Sequence, residues 1–323
     1  MVDSTARAML VATFAIGLEG DVRDDALVFH VEEDAHVTRL VRVSRDLSLT
    51  AESLMIDGEE VEKLGTEIGM QIHLEESFVV RDVFEAVAEG LPRKLRRRFE
   101  ELSGSQRIEI PGDPAGPSED ELRCPLAHQE IVFQWDEEEQ EFVAAFAEGE
   151  EGEEYLLRGL EEDMDLRELL PKDEVSTGDT WEIELGKDLL SPGGDLRISD
   201  HEEEPDELAA GDLLRQNRRT KITATYEGTV LENDMELASI RLRVESTSTS
   251  EHSRSAGTWH FEDSSSVEGM LRWDRARGHA RALSLQGRFS WLVRDTSEVE
   301  QQSHVVMSEF TGEVHLDMEL EDG

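Results

Sequence analysis

The sequence predicts a β-dominated α+β protein, in which long, curved antiparallel strands form a half-barrel-like meander packed with one principal helix. The first observation is a two-residue alternation of apolar and polar side chains, which is typical of strands with one buried face. Val314, Leu316 and Met318 share one parity, while His315 and Asp317 share the other. The second observation is the short turns between these stretches, because sequential strands joined by short turns pair antiparallel.

The N-terminal half also reads as strands. The dipeptide Asp57-Gly58 is a strong hairpin signal, since both residues tolerate the left-handed conformation that tight hairpin turns need. Apolar and β-branched residues predict strand material over 26–31, 40–43, 47–54, 70–74 and 78–80.

Residues 82–102 allow two interpretations. Val83, Val87 and Leu91 have helical spacing, but Gly90 and Pro92 would break a helix. A basic cluster in the same segment is either an anion site or a face that pairs with nearby acidic residues, and the second interpretation is favoured. The cluster consists of Arg93, Lys94, Arg96, Arg97 and Arg98.

The middle of the chain contains a loop, a hairpin and two candidate helices. Residues 111–120 are rich in proline and glycine and predict a loop or internal boundary. The apolar stretches 131–135 and 142–143 predict a hairpin. Leu156, Leu160 and Met164 predict a principal helix near 153–170 with its acids on a solvated face, and a short helix is expected over 206–214.

The C-terminal meander and the domain organisation follow from the same patterns. Strands are predicted near 220–231, 237–249, 257–273, 279–294 and 303–320. Residues 1–25 are an export-signal remnant or a first strand, because the apolar run 8–18 has signal-peptide length and is too short to span a bilayer. Residues 26–150 form a β-rich region, and 151–323 form the helix and meander, either separately or as one continuous domain.

The charge of the chain restricts its partners. The 76 acidic and 32 basic residues give a formal net charge of −44. Such a surface repels phosphate backbones, so no nucleic-acid partner is expected, and no segment has the length of a transmembrane helix. Lysine is rare relative to arginine, which reflects either a GC-rich genome or a surface adapted to high salt.

No motif in the sequence indicates a catalytic or metal site. Cys124 is the only cysteine, which excludes an internal disulfide, and its nearness in sequence to His128 is weak support for a catalytic dyad. His30 and His36 lack a third predicted metal ligand. Asp163 and Asp165 lack the remaining positions of a calcium loop. We therefore predict no catalytic residue, no metal ligand and no cofactor.

Aromatic residues are concentrated in the meander and allow two interpretations. They either line an apolar cavity of the curved sheet or fill its core, and the core interpretation is favoured. These residues are Trp259, Phe261, Trp273, Phe289 and Trp291.

Two segments carry a resemblance to a known group of proteins. Residues 169–182 read LLPKDEVSTGDTWE, and residues 269–291 read GMLRWDRARGHARALSLQGRFSW. With these segments, residues 150–320 resemble uncharacterised exported bacterial proteins of planctomycete type, whose shape is similar to the half-barrel of the lipoprotein carriers LolA and LolB. The resemblance implies a periplasmic location and an apolar groove, and it implies no catalytic residues.

The sequence thus favours a non-enzymatic exported protein with a binding or structural role, located in the periplasm or cell envelope. Its concave sheet would hold an apolar ligand or a segment of a protein partner. The alternatives are a hydrolase that uses carboxylates or a bound metal, and an architectural component of the cell envelope. A cytoplasmic location is the alternative to export. The ligand-binding residues and the oligomeric state are not identified by the sequence.

Overall fold

A computed structural model describes residues 26–63, 69–194, 196, 205–254, 257–299 and 302–322. The export-signal remnant or first strand expected at residues 1–25 lies outside the described residues.

Among the described residues, thirteen strands form one antiparallel sheet. The strands are β1 (His36–Ile56), β2 (Glu59–Lys63), β3 (Gln71–Ala88), β4 (Leu91–Glu109), β5 (Ser118–Leu122), β6 (Glu130–Asp136), β7 (Glu141–Phe146), β8 (Thr180–Leu185), β9 (Arg219–Glu232), β10 (Met235–Arg254), β11 (Gly257–Asp274), β12 (His279–Val299) and β13 (Gln302–Asp322). Their order across the sheet is β7-β6-β4-β3-β1-β13-β12-β11-β10-β9-β8, with β2 paired to β1 and β5 to β4. The predicted β-dominated meander is confirmed.

The alternation of the sequence determines which face of the sheet is buried. On β1 the odd-numbered residues Val41 and Val43 are buried, and Val41 lies opposite Phe78 of β3 and Met318 of β13. The same face continues through fully buried residues such as Leu285 of β12. We call this apolar face the inner face, and burial of its side chains supplies the main drive for folding.

Pairing between β1 and β13 joins the two β-rich halves of the chain. The register runs from Val37 opposite Asp322 to Ile56 opposite His304, with one irregularity between Leu49 and Ala51. The sheet is therefore continuous from the N-terminal strands to the meander. The division into regions 26–150 and 151–323 stays a prediction.

The tight turns form where the sequence indicates them. Asp57 and Gly58 have φ angles of 51° and 83° between β1 and β2, as hairpin turns with two left-handed residues require. Residues 82–102 contain the turn between β3 and β4, so the helical interpretation of this segment is wrong. Pro92 is tolerated because it is only the second residue of β4.

The principal helix lies elsewhere than expected. Residues 153–170 contain two short 3-10 turns, Glu154–Leu157 and Arg167–Leu169, and no α-helix. The α-helix α1 is Pro205–Gln216, where the sequence indicated only a short helix. Gly159 and Leu166 explain the difference, since their φ angles of 75° and 62° interrupt an α-helix.

The inner face is covered by segments that leave the sheet and return to it. We call the described residues of 147–179 and 186–218 the cap. Apolar cap residues join the sheet side chains in one buried cluster: Leu156, Met164, Leu166, Leu169, Val175, Leu189, Leu190 and Leu196. One part of the inner face is thus a packed core, as the sequence favoured, and the cap defines where that core ends.

Three glycines let neighbouring strands approach closely across the inner face. Gly312 lies opposite Leu47 and Phe289, and a Cβ there would collide with the Asp46 carbonyl oxygen. A Cβ at Gly269 or at Gly287 would likewise collide with a carbonyl oxygen of the adjacent strand. Glycines at such positions allow a sheet to bend, because no side chain separates the strands.

Replacement of Gly312 by alanine should destabilise the fold. The added Cβ would force β13 away from β1, and we expect a loss of about 1–3 kcal/mol in the free energy of unfolding, as for other overpacked sites. Gly186→Ala is the matched control, because a Cβ at this position meets no atom within 4 Å. Urea denaturation measures both variants, and equal stabilities would contradict this role of Gly312.

Candidate functional site

A buried ionic cluster fixes the cap to the sheet. Asp82 of β3 lies between Arg39 of β1 and Arg97 of β4, and all three side chains are almost fully buried. The Arg97 guanidinium donates two hydrogen bonds to the Asp82 carboxylate, at 2.8 and 3.0 Å, and Arg39 donates a third. Burial opposes ionisation of Asp82, but the two arginines outweigh it and hold the pKa of Asp82 below its usual value.

Arg97 also reaches the cap directly. Its Nη1 donates to the Glu161 carbonyl oxygen at 2.7 Å, and its Nη2 donates to the Glu162 carbonyl oxygen at 2.8 Å. The face of the guanidinium lies over the Phe133 ring at 5.1 Å. Arg97 therefore determines where residues 161 and 162 lie relative to the inner face.

The expectation of a solvated acidic face at 153–170 is wrong for Glu162, Asp163 and Asp165, which are buried in ion pairs. Glu153 and Glu154 are exposed, as expected. Arg167 donates to Asp165 and Glu162 at 2.6 Å each. Lys187 donates to Asp163 at 2.9 Å. Burial raises the pKa of Asp165, and the nearby Asp163 adds to this effect, whereas Lys187 and Arg167 hold the pKa of Asp163 low.

Between the cap and the inner face lies a cleft of about 290 Å³. This volume is at the lower end of the range of about 300–1,000 Å³ that is typical of small-molecule sites. Its apolar lining comes from both the sheet and the cap: Val43, Phe78, Leu190, Pro192, Leu196 and Leu214. Its charged lining consists of Arg45, Glu76, Glu161, Lys187, Asp188, Arg215 and Arg218. The cleft can hold a small molecule that has both apolar and polar parts.

Glu161 is the unusual charged group of this cleft. Burial raises the pKa of its carboxyl to about 7, and Lys187 offsets this effect only in part. In the described part of the chain, no lysine, arginine or histidine nitrogen lies within ion-pair distance of its carboxylate. Glu161 can therefore exchange a proton near neutral pH inside a mostly buried cleft.

The basic cluster of β4 serves the fold, as the favoured interpretation predicted. Arg96 and Lys94 both pair with Glu85, at 2.5 and 2.8 Å, and Arg98 pairs with Glu130 at 3.0 Å. Arg97 is the buried member that holds Asp82.

The cysteine and histidine candidates do not form a site among the described residues. Cys124 is buried, and its thiol donates to the Leu196 carbonyl oxygen at 2.6 Å. The backbone amide of His30 donates to the Gly278 carbonyl oxygen at 3.1 Å, and His36 begins β1 with an exposed side chain. No group of three or more potential metal ligands is found within the described ranges.

The aromatic residues of the meander divide between core and surface. Trp273 is fully buried, which confirms the core interpretation for this residue. The other four are half-buried, and Trp291 lies 6.1 Å from the Phe310 ring. Trp291 is opposite Asp263, which pairs with the cleft residue Arg218 at 2.7 Å. The half-buried aromatic residues thus extend along the inner face beyond the cleft.

The segment 169–182 leads from the cap into β8 through a tight turn. Gly178 adopts a φ of 97° in the turn, and Asp179 accepts a hydrogen bond from the Ser176 amide at 2.8 Å. Trp181 packs against the core from β8 and donates to the Leu169 carbonyl oxygen at 3.0 Å.

Sequence reasoning missed the charged residues of the cleft, although the strands contain a signal. Arg45 follows Val41 and Val43 on the apolar parity of β1, and Glu76 shares a parity with Phe78 on β3. A charged residue at an inward position of a strand needs a buried partner or a cavity. Glu161 and Lys187 lie in irregular segments and carry no comparable signal.

No protein-family model matches this chain, and no curated protein matches it. A solved structure, the COG4313 outer membrane channel from Pseudomonas putida F1, aligns over 93% of this chain and 100% of the channel, with 9% identity and a TM-score of 0.24. A score this low carries no argument about fold or function. No described helix has the length and apolar character needed to cross a bilayer.

Replacement of Asp82 by asparagine should be strongly destabilising. It would leave Arg39 and Arg97 buried without a counter-ion, which costs about 3–5 kcal/mol in comparable cases. The control is Glu100→Gln on β4, which removes an exposed pair with Arg81 and should cost less than about 1 kcal/mol. Chemical denaturation at neutral pH measures both, and a mild effect at Asp82 would refute its anchoring role.

Glu161→Gln should stabilise the protein at neutral and alkaline pH but not at acidic pH. The pKa of Glu161 is raised from 4.5 to about 7, so its ionisation opposes folding, and stability falls as pH rises through this window. Each pKa unit is worth about 1.4 kcal/mol, and after allowance for partial exposure the variant should gain about 2–3 kcal/mol at pH 8.

At pH 4 the Glu161 carboxyl is mostly protonated in both the folded and the unfolded chain, so the stabilities of the two proteins should differ little there. The exposed Glu184→Gln on β8 is the control. Urea denaturation from pH 4 to 8 tests this prediction, which fails if the gain of Glu161→Gln is independent of pH.

Proposed function

We propose that this protein is an exported, non-enzymatic binding protein of the periplasm or cell envelope, and that the cleft holds a small, partly apolar ligand. The observation that carries the proposal is the cleft itself. Apolar side chains of the sheet and of the cap face an open volume of about 290 Å³ there, although elsewhere they pack into one core. The apolar run 8–18 supports export.

The construction of the cleft favours binding. Val43 and Phe78 lie on neighbouring strands of the sheet, so the cleft floor is rigid. Leu214 belongs to α1, and Leu190 is anchored in the core, so the opposite wall belongs to the cap. A pre-formed cavity lowers the entropic cost of binding, because few groups have to become ordered with the ligand.

The chemistry of the carboxylates gives less support to the hydrolase alternative. Glu162, Asp163 and Asp165 each accept hydrogen bonds from Arg167 or Lys187, which hold the cap together. Of these carboxyl groups, only Glu161 is left to act as a general acid or base. A hydrolase also needs a second group that activates the nucleophile or stabilises the charge of the transition state. An architectural role needs no ligand, and a cleft that binds nothing would favour it.

Binding of the neutral fluorescent probe N-phenyl-1-naphthylamine tests the proposal. Its fluorescence should rise and saturate as it enters the cleft. Leu214→Trp should fill part of the cleft and weaken binding at least about fivefold, or about 1 kcal/mol. The control is Gln216→Trp, which places the same side chain at an exposed position of α1.

Two outcomes would overturn the proposal. One is the absence of a saturable signal, combined with native mass spectra of gently purified protein that contain no bound small molecule. The other is equal binding by the Leu214 and Gln216 variants, which would place the probe outside the cleft.

A further inference from the structure

The basic groups of the cleft already have acidic partners. Lys187 pairs with Asp163 at 2.9 Å and with Glu168 at 2.7 Å. Arg218 pairs with Asp263 at 2.7 Å and with Asp188 at 3.3 Å.

The remaining two arginines of the lining are paired as well. Arg45 donates to Glu76 at 3.0 Å, and Arg215 pairs with Asp212. An anionic ligand would therefore have to compete with carboxylates that are fixed in the fold.

The acidic groups of the cleft, in contrast, do not all have basic partners. Glu161 has no ion pair in the described chain, and it faces the same cavity as the four basic groups. Lys187 and Arg218 each have two carboxylate partners, so acids outnumber bases among the described lining residues and their ion-pair partners. One additional positive charge would complete this set.

The shape of the cleft adds a second requirement. Glu161 shares the cavity with an apolar lining that includes Phe78, Leu190 and Leu196. A metal ion has no apolar part, so it would bind the carboxylate without burying the apolar side chains of this lining. A ligand that carries an ammonium group next to an apolar chain satisfies both the carboxylate and the lining.

We propose that the cleft selects amphipathic amines, and that their ammonium group donates hydrogen bonds to the Glu161 carboxylate while their apolar chain lies against Phe78 and the cap leucines. This inference rests on the proposed binding function and specifies the ligand class. Neither the fold nor the net charge alone requires it, since −44 charges attract any cation but do not place it beside apolar groups.

The ionisation of Glu161 makes binding depend on pH. Its carboxyl has a pKa of about 7 without ligand, so the ammonium group binds best where the carboxyl is ionised. Affinity should therefore rise about tenfold between pH 6 and 8. The charged groups that face Glu161 across the cleft and from its own segment are Asp163, Glu168, Lys187, Asp188, Arg45, Glu76, Arg215 and Arg218.

Calorimetric titration with three ligands of equal chain length tests the proposal. They are decylamine, decanol and decanoate, each below its aggregation limit, at pH 8 and about 0.15 M salt to screen surface charge. Decylamine should bind at least about tenfold more tightly than decanol, as expected for a charge-assisted hydrogen bond in a buried site. Decanoate should bind more weakly than decanol.

Glu161→Gln should remove the advantage of decylamine over decanol and the pH dependence of decylamine binding. Glu184→Gln removes the same charge from an exposed site of β8, so it controls for the overall charge of the protein. It should behave as the wild type. Far-UV circular dichroism verifies that both variants are folded.

The outcomes separate the two proposals. If decanol and decylamine bind equally, or decanoate binds best, the selection of amines is wrong and the binding function stands. If Glu161→Gln and Glu184→Gln weaken decylamine equally, the amine interacts with the surface charge and the inference is also wrong. If none of the three ligands binds but N-phenyl-1-naphthylamine does, the selection of amines is wrong and the binding function stands. If the probe fails to bind as well, the binding function itself fails.

Discussion

The structure depends on the charge cluster of Asp82 with Arg39 and Arg97. Three adjacent strands each contribute one of these side chains to the inner face, where an unpaired charge would be costly. Arg97 also donates hydrogen bonds to two carbonyl oxygens of the cap. The same group that neutralises Asp82 therefore determines the path of residues 161 and 162.

The position of the cap in turn creates the cleft. Residues 161–168 would be solvated if they formed an exposed helix, but the contact with Arg97 brings them to the inner face. Their carboxylates are then balanced by Arg167 and Lys187, except for Glu161, which faces the open volume. The unusual pKa of Glu161 is thus a consequence of how the cap is anchored, since burial of this side chain is its main cause.

The sequence predicted the sheet well because strand alternation is a local property. The five C-terminal strands and the turn at Asp57-Gly58 follow from residues that are neighbours in the chain. The same reasoning failed at 153–170, because Leu156, Leu160 and Met164 have helical spacing although their segment is irregular. These residues are buried because they pack against side chains of the sheet. The positive φ angles of Gly159 and Leu166, which interrupt a helix, cannot be predicted from the spacing of apolar residues.

The sequence by itself determined the strands, their inner face and the acidic surface, since these depend on side-chain parity and composition. It also placed charges at inward positions, such as Arg39, Asp82 and Arg97, without indicating which would meet. Only the tertiary structure decided that these three form one cluster, that the cap covers part of the inner face, and that Glu161 lies in a cleft with no ion pair to a described residue. The reason is that these contacts join residues far apart in the chain, and their burial exists only once the sheet and the cap are in place.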